Sequence, residues 1–131
     1  MTDVTSNSEA PMEEEPLYPA HVRLGPTIGD GPTPEEILLA TKAVYDPELG
    51  INIVDLGLIY GVDRTEEGEA KIEMTLTSPA CPLGPVIIDQ IQYVVGRLPG
   101  IENCAVEFVW MPPWDPRVMA SEEAKAELGI W

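Results

Sequence analysis

Ile37, Leu38, Ala40, Thr41 and Val44 recur at helical spacing directly behind Thr33-Pro34-Glu35-Glu36. That preface supplies an N-cap hydroxyl, a proline at the first helical position and a capping-box glutamate, so a helix over about 34–45 is predicted. Asp46-Pro47-Glu48-Leu49-Gly50 breaks the period and predicts an acidic loop. The β-branched stretch from Ile51 to Val62 then reads as a turn or short strand leading through Gly57 into a strand at about 58–64. Thr65-Glu66-Glu67-Gly68 is a hairpin turn. Beyond it Ala70, Ile72, Met74 and Leu76 alternate with Lys71, Glu73, Thr75 and Thr77, the period of a strand with one buried face. Ile87, Ile91, Val94 and Leu98 mark the buried stripe of a second helix between Leu83 and Leu98, closed by Pro99-Gly100. Cys104, Val106, Phe108 and Trp110 alternate again as a third strand. Met111-Pro112-Pro113-Trp114-Asp115-Pro116 is a rigid crossing, and Ser121-Glu122-Glu123 caps a last short helix ending at Gly129. The order α-β-β-α-β-α predicts an α+β fold: a small two-layer sandwich, with a three-stranded sheet carrying its helices on one face.

Residues 1–32 break this regularity. They hold several prolines, Ser, Thr and Gly, and the run Glu13-Glu14-Glu15, without a sustained apolar period. They read as a disordered acidic, proline-rich tail, and 33–131 as the single domain. Leu17-Tyr18 and Val22-Arg23-Leu24 are the only stretches of the tail that suggest a short docking element.

Charge narrows the partners. Against 23 Asp and Glu stand 7 Lys and Arg, a formal net charge of −16. Such a surface repels phosphate backbones and anionic lipid, which excludes nucleic acid and membranes as partners. No window approaches the length of a transmembrane helix, and the N-terminus lacks the basic and apolar regions of a signal peptide. The expected location is the cytoplasm, where two cysteines without a CxxC pair act as single thiols.

Cys81 is the thiol with a chemical setting. It lies in Thr77-Ser78-Pro79-Ala80-Cys81-Pro82-Leu83-Gly84-Pro85, where the strand pattern stops and the helical one begins. Unpaired N–H groups and the positive end of a helix dipole favour thiolate there. A small apolar filler at a junction is the bland alternative. Cys104 falls on the apolar parity of its strand and reads as core. Trp110, Trp114 and Trp131 read as clamps for a C-terminal segment rather than a stacking platform. His21, the one histidine, lies in the tail, so a Cys–His mechanism is disfavoured. Asp46, Glu48 and Asp55 are loop acids whose ordinary role is turn capping; their company with Cys81 makes them candidates for hydrogen bonding or hard-oxygen ligation.

The stretch Asp46-Pro47-Glu48-Leu49-Gly50-Ile51-Asn52-Ile53-Val54-Asp55-Leu56-Gly57-Leu58-Ile59-Tyr60, followed by Thr77-Ser78-Pro79-Ala80-Cys81-Pro82, resembles the two signature stretches of the MIP18 family, the DUF59 proteins, which include bacterial SufT-type factors. Trp110-Met111-Pro112-Pro113-Trp114 and Met119 to Ala124 are similar to the bacterial branch. The resemblance implies a compact α+β fold of the iron–sulfur cluster assembly type and a non-enzymatic role in cluster assembly or maturation. It makes Cys81 the functional thiol and metal contact, with Asp46, Glu48, Asn52, Asp55, Thr77 and Ser78 supporting the site. The extra C-terminal cysteine cluster of the phenylacetate-degradation branch is missing. An iron–sulfur cluster takes four thiolates, so one motif thiol per chain implies a transient cluster or iron ion. A second copy in a homodimer, a small thiol, an assembly protein or an apo client would complete the shell. The alternatives are an adaptor of the assembly machinery that never touches metal, and a thiol enzyme, which the missing histidine base and resolving cysteine disfavour.

Overall fold

The computed structural model describes residues 17–77 and 83–130. Helix α1, Pro34–Ala40, starts as the sequence dictates: Thr33 Oγ1 accepts from Glu36 N at 3.1 Å, and Glu36 Oε1 accepts from Thr33 N at 2.8 Å. It ends earlier than the predicted residue 45. The Thr41 hydroxyl donates to Leu38 O at 2.6 Å, the chain tightens into a 3-10 turn over Thr41–Ala43, and Val44 is already extended. The early stop has a cause in the next loop. Ile53 N donates to Val44 O and Asp46 N to Ile51 O, so Val44–Asp46 must be extended to pair with 51–53.

Strands β1 (Arg23–Leu24), β2 (Ile59–Arg64), β3 (Glu69–Met74) and β4 (Asn103–Phe108) form one sheet in the order β1-β2-β3-β4. β2 and β3 are the antiparallel hairpin; β1 runs parallel to β2 and β4 parallel to β3. In register, Ala70, Ile72 and Met74 face Cys104, Val106 and Phe108 on one side. That side is covered by α1, through Ile37 and Leu38, and by α2 (Gly84–Gly96), through Ile87, Ile91 and Val95. Each such buried aliphatic side chain is worth roughly 1.5–3 kcal/mol of transfer free energy. The opposite face is polar, with Arg23, Asp63, Lys71, Glu73 and Glu107 forming ion pairs across the strands.

The sheet therefore has four strands where three were expected. The fourth comes from the segment assigned to the tail. β1 is too short for any periodicity to reveal it, and its pairing is tertiary: Arg23 donates to Asp63 Oδ1 and Oδ2 at 3.1 and 2.8 Å, and Gly25 N to Val62 O at 2.8 Å. Gly61 makes room for it, since a Cβ there would lie 2.7 Å from Arg23 Nη2. Further along, the Arg64 guanidinium donates to the carbonyls of Ile28 and Asp30. Residues from Leu17 to Pro32 thus belong to the packed body, and the expectation of a disordered stretch now bears only on 1–16, outside the described residues.

The C-terminal crossing differs as well. Asp115 caps an unforeseen short helix α3, Pro116–Met119, accepting from Arg117 N at 3.1 Å. Helix α4, Glu122–Leu128, has the expected Ser121 cap. These two do not join α1 and α2 on the sheet face; they pack against residues 51–58, where Ser121 N donates to Asp55 O at 2.7 Å. No helix among the described residues is long and apolar enough to cross a membrane.

Candidate functional site

The first motif stretch folds as a small hairpin. Tyr45 pairs antiparallel with Asn52. Asp46 is buried at its head, and its Oδ1 accepts from the N–H groups of Glu48 and Leu49 at 2.8 and 3.0 Å. Oδ1 is thus taken up by the turn, and through it Asp46 shapes the loop. Glu48 is exposed at its tip and enters the turn through its backbone N–H.

Asn52 and Asp55 form a closed pair. Asn52 Nδ2 donates to Asp55 Oδ2 at 2.8 Å, and Asp55 N donates to Asn52 Oδ1 at 2.9 Å. Lys42 Nζ, from the 3-10 turn, lies 4.0 Å from Asp55 Oδ1. The carboxylate is thereby held from two sides at the wall of a cleft of about 430 Å³ between this hairpin and α4, lined also by Tyr45, Glu123 and Glu127.

The second motif stretch leaves β3 at the same end of the sheet. Thr75 is buried and donates its N–H to Leu58 O at 2.8 Å, tying the exit of β3 to the entrance of β2 and so to the first motif. Thr77 is half-buried just beyond. Ser78 and Cys81 lie outside the described residues. The chain is described again from Leu83, which precedes α2 and offers no side-chain cap to it, and Gly84 sits against Leu76 and Phe108. Among the described residues, the structure brings Asn52, Asp55 and Lys42 together, engages Asp46 Oδ1 in its own turn, and puts Thr77 on the chain leaving β3.

The other sequence candidates resolve individually. Cys104 is buried on the core face of β4, and its thiol is pushed up to about 11 by burial and by the Glu69 charge, so it is a poor nucleophile. Trp114 is a clamp: its Nε1 donates to Leu56 O at 2.8 Å. Trp110 stays exposed, tilted against Phe108 at 6.0 Å, and Trp131 lies outside the described residues. His21 departs from expectation. Its Nε2 lies 3.1 Å from Gly57 O, and its ring stands edge-on to Tyr60 with centroids 5.5 Å apart. The signal that could have found it was the density of apolar and aromatic residues in Leu17-Tyr18-Pro19-Ala20-His21-Val22, too short to carry a period.

Comparison with known proteins fits this geometry. The family described as iron-sulfur cluster assembly protein matches residues 34–108, from the start of α1 to the end of β4. The Fe-S protein maturation auxiliary factor SufT of Staphylococcus aureus is 51% identical over 87 residues, covering 66% of this chain and 98% of its own. The corresponding factor YitW of Bacillus subtilis is 48% identical over 96 residues, covering 73% and 93%. A crystal structure of a DUF59 domain from Bacillus anthracis superposes with a TM-score of 0.70 at 39% identity, over 75% of this chain and 92% of that one.

Proposed function

Because the chain belongs to the family of iron-sulfur cluster assembly proteins, we propose that it is a maturation factor, acting without turnover chemistry, that uses Cys81 to contact an iron–sulfur cluster or iron in transit to client proteins. The observation that supports this reading is the bond from Thr75 N to Leu58 O, which ties the exit of β3, two residues before the second motif stretch, to the first motif stretch. The cluster is cargo. One motif thiolate leaves its four-thiolate shell incomplete, and a donor protein, a client, a small thiol or a second copy would supply the rest. Incomplete ligation suits a carrier, since a cluster held by four of its own thiolates would not be passed on.

Asp55 has a supporting role in this reading. Its orientation is set by Asn52 and by Lys42, so it presents a fixed negative group to the cleft. The reading further places the protein in the cytoplasm, where Cys81 stays reduced, and takes its partners to be assembly proteins and apo clients. The strongly acidic surface is unsuited to nucleic acid.

Anaerobic reconstitution with iron and sulfide tests the proposal. Wild type should take up iron with visible thiolate-to-iron absorption, and Cys81→Ser should lose it. Uptake unchanged in C81S, with client maturation also unchanged in cells, would sink the role of the thiol and favour the adaptor reading.

A further inference from the structure

We propose that His21 is a positioning residue for the first motif loop: its neutral imidazole, donating from Nε2 to the carbonyl of Gly57, latches the N-terminal segment onto the loop that carries Asn52 and Asp55, and protonation opens the latch. A carbonyl can only accept, so the tautomer with hydrogen on Nε2 is the one that fits the 3.1 Å contact. Nδ1 is then a bare acceptor, and it is buried without a hydrogen-bond partner. A second proton would charge a buried ring nitrogen that has no hydrogen-bond partner in the latched geometry, and the Gly57 and Ile59 carbonyls offset only part of that cost.

The groups around the ring offer that charge little. β2 contributes the Tyr60 ring, and the carbonyls of Gly57 and Ile59 are the polar neighbours. On the C-terminal side, the Met119 backbone packs against Gly57. The charged residues of that segment nearest the strap, Glu122 and Lys125, line the cleft beside Tyr18, Pro19 and Ala20 and pair with each other at 3.3 Å. Burial is the largest influence on the imidazole and lowers its pKa from 6.5; the two carbonyls oppose it.

Coupling to the motif loop is direct. Gly57 N donates to Val54 O, Leu58 N to Ile53 O, and Leu56 N to Asn52 O, so a shift at Gly57 is felt along the turn bearing Asn52 and Asp55. The sign is set by the lowered value. The latched state binds the proton less readily than the released one, so the latch is complete above about pH 6.5 and weakens as pH falls toward the lowered pKa. The latch itself needs no functional reading; only its consequence for cluster handling rests on the role proposed above.

The 131-residue chain has a single histidine, so an NMR titration reads this imidazole alone. The expected midpoint lies below the usual ~6.5, with amide protection over residues 54–58 falling alongside it, by up to about tenfold per pH unit. In His21→Gln, which keeps a donor but cannot charge, protection should be flat with pH. In His21→Phe, which keeps the stack without the donor, it should be reduced at every pH. A midpoint at or above 6.5, or wild-type protection indifferent to acid, would overturn the latch. Should both variants fail to fold by circular dichroism, the wild-type titration and exchange decide it alone. Iron–sulfur reconstitution across the same pH range should weaken on acidification in wild type and less so in H21Q. Parallel loss in both would overturn the functional consequence, and uptake by C81S would instead discredit the thiol while the exchange data still judge the latch.

Discussion

Gly57 is the residue on which most of the site's geometry converges. Its φ of +85° lies in the left-handed region, and a Cβ there would stand 2.4 Å from the Met119 carbonyl oxygen. Both the backbone angle and the space therefore demand glycine, and its carbonyl is the one that His21 grips. We expect Gly57→Ala to cost about 2 kcal/mol or more, since strain and displacement of the Met119 segment add. Urea denaturation would read this, and a change within experimental error would mean that α3 gives way freely. Asp46, by contrast, is legible as a turn former: Asp-Pro-Glu-Leu-Gly is a turn sequence, and its carboxylate takes the two N–H groups that such a turn leaves unpaired. The Asn52–Asp55 pair was not legible as a pair. Two polar residues three apart in a loop can face anywhere, and only the turn 52–57 closes them on each other.

Among the elements, the hairpin, helices α1 and α2 and β4 follow from periodicity because each has one apolar face that repeats. The crossing 109–115 and helix α3 do not repeat, and their position depends on side chains from elsewhere. Trp114 donates to Leu56 O, and Tyr60 Oη donates to Pro112 O at 2.8 Å. These two bonds hold the C-terminal crossing over the motif loop. Trp114→Phe keeps most of the buried ring and strands the carbonyl of the fully buried Leu56, at an expected cost of about 1 kcal/mol. Equilibrium denaturation of Trp114→Phe tests the assignment; a stability within error of wild type would show that the indole contributes only its area.

For the molecule as a whole, the N-terminal segment is a strap: it adds an edge strand through Arg23 and Leu24, reaches Gly57 through His21 and receives Arg64 at the carbonyls of Ile28 and Asp30. The sequence reading of a removable tail up to residue 32 therefore leads to the wrong expectation for truncation. Deleting residues 1–32 should lower Tm by roughly 5 °C or more, since even 1 kcal/mol shifts a domain of this size by several degrees. A Tm within a degree of the full chain would show that β1 and the His21 contact contribute no net stability. The exposed Arg23–Asp63 pair should supply little of this loss, as both partners are screened by water.

The sequence by itself determined the α+β class, the cap of α1, the hairpin, the parity of β3 and β4 and the turn at Asp46, because each rests on a local repeat or a local turn. Tertiary structure alone decided the fourth strand, the reach of the strap, the closure of Asn52 on Asp55 and the placing of α3 and α4 against the motif loop. The reason is physical. A period records which side of an element is buried, whereas a two-residue strand, a single imidazole or one indole N–H is held by a carbonyl or carboxylate that is 36 to 58 positions away in the chain. Such contacts leave no mark on the neighbouring residues, and only the folded backbone brings their partners within 3 Å or so.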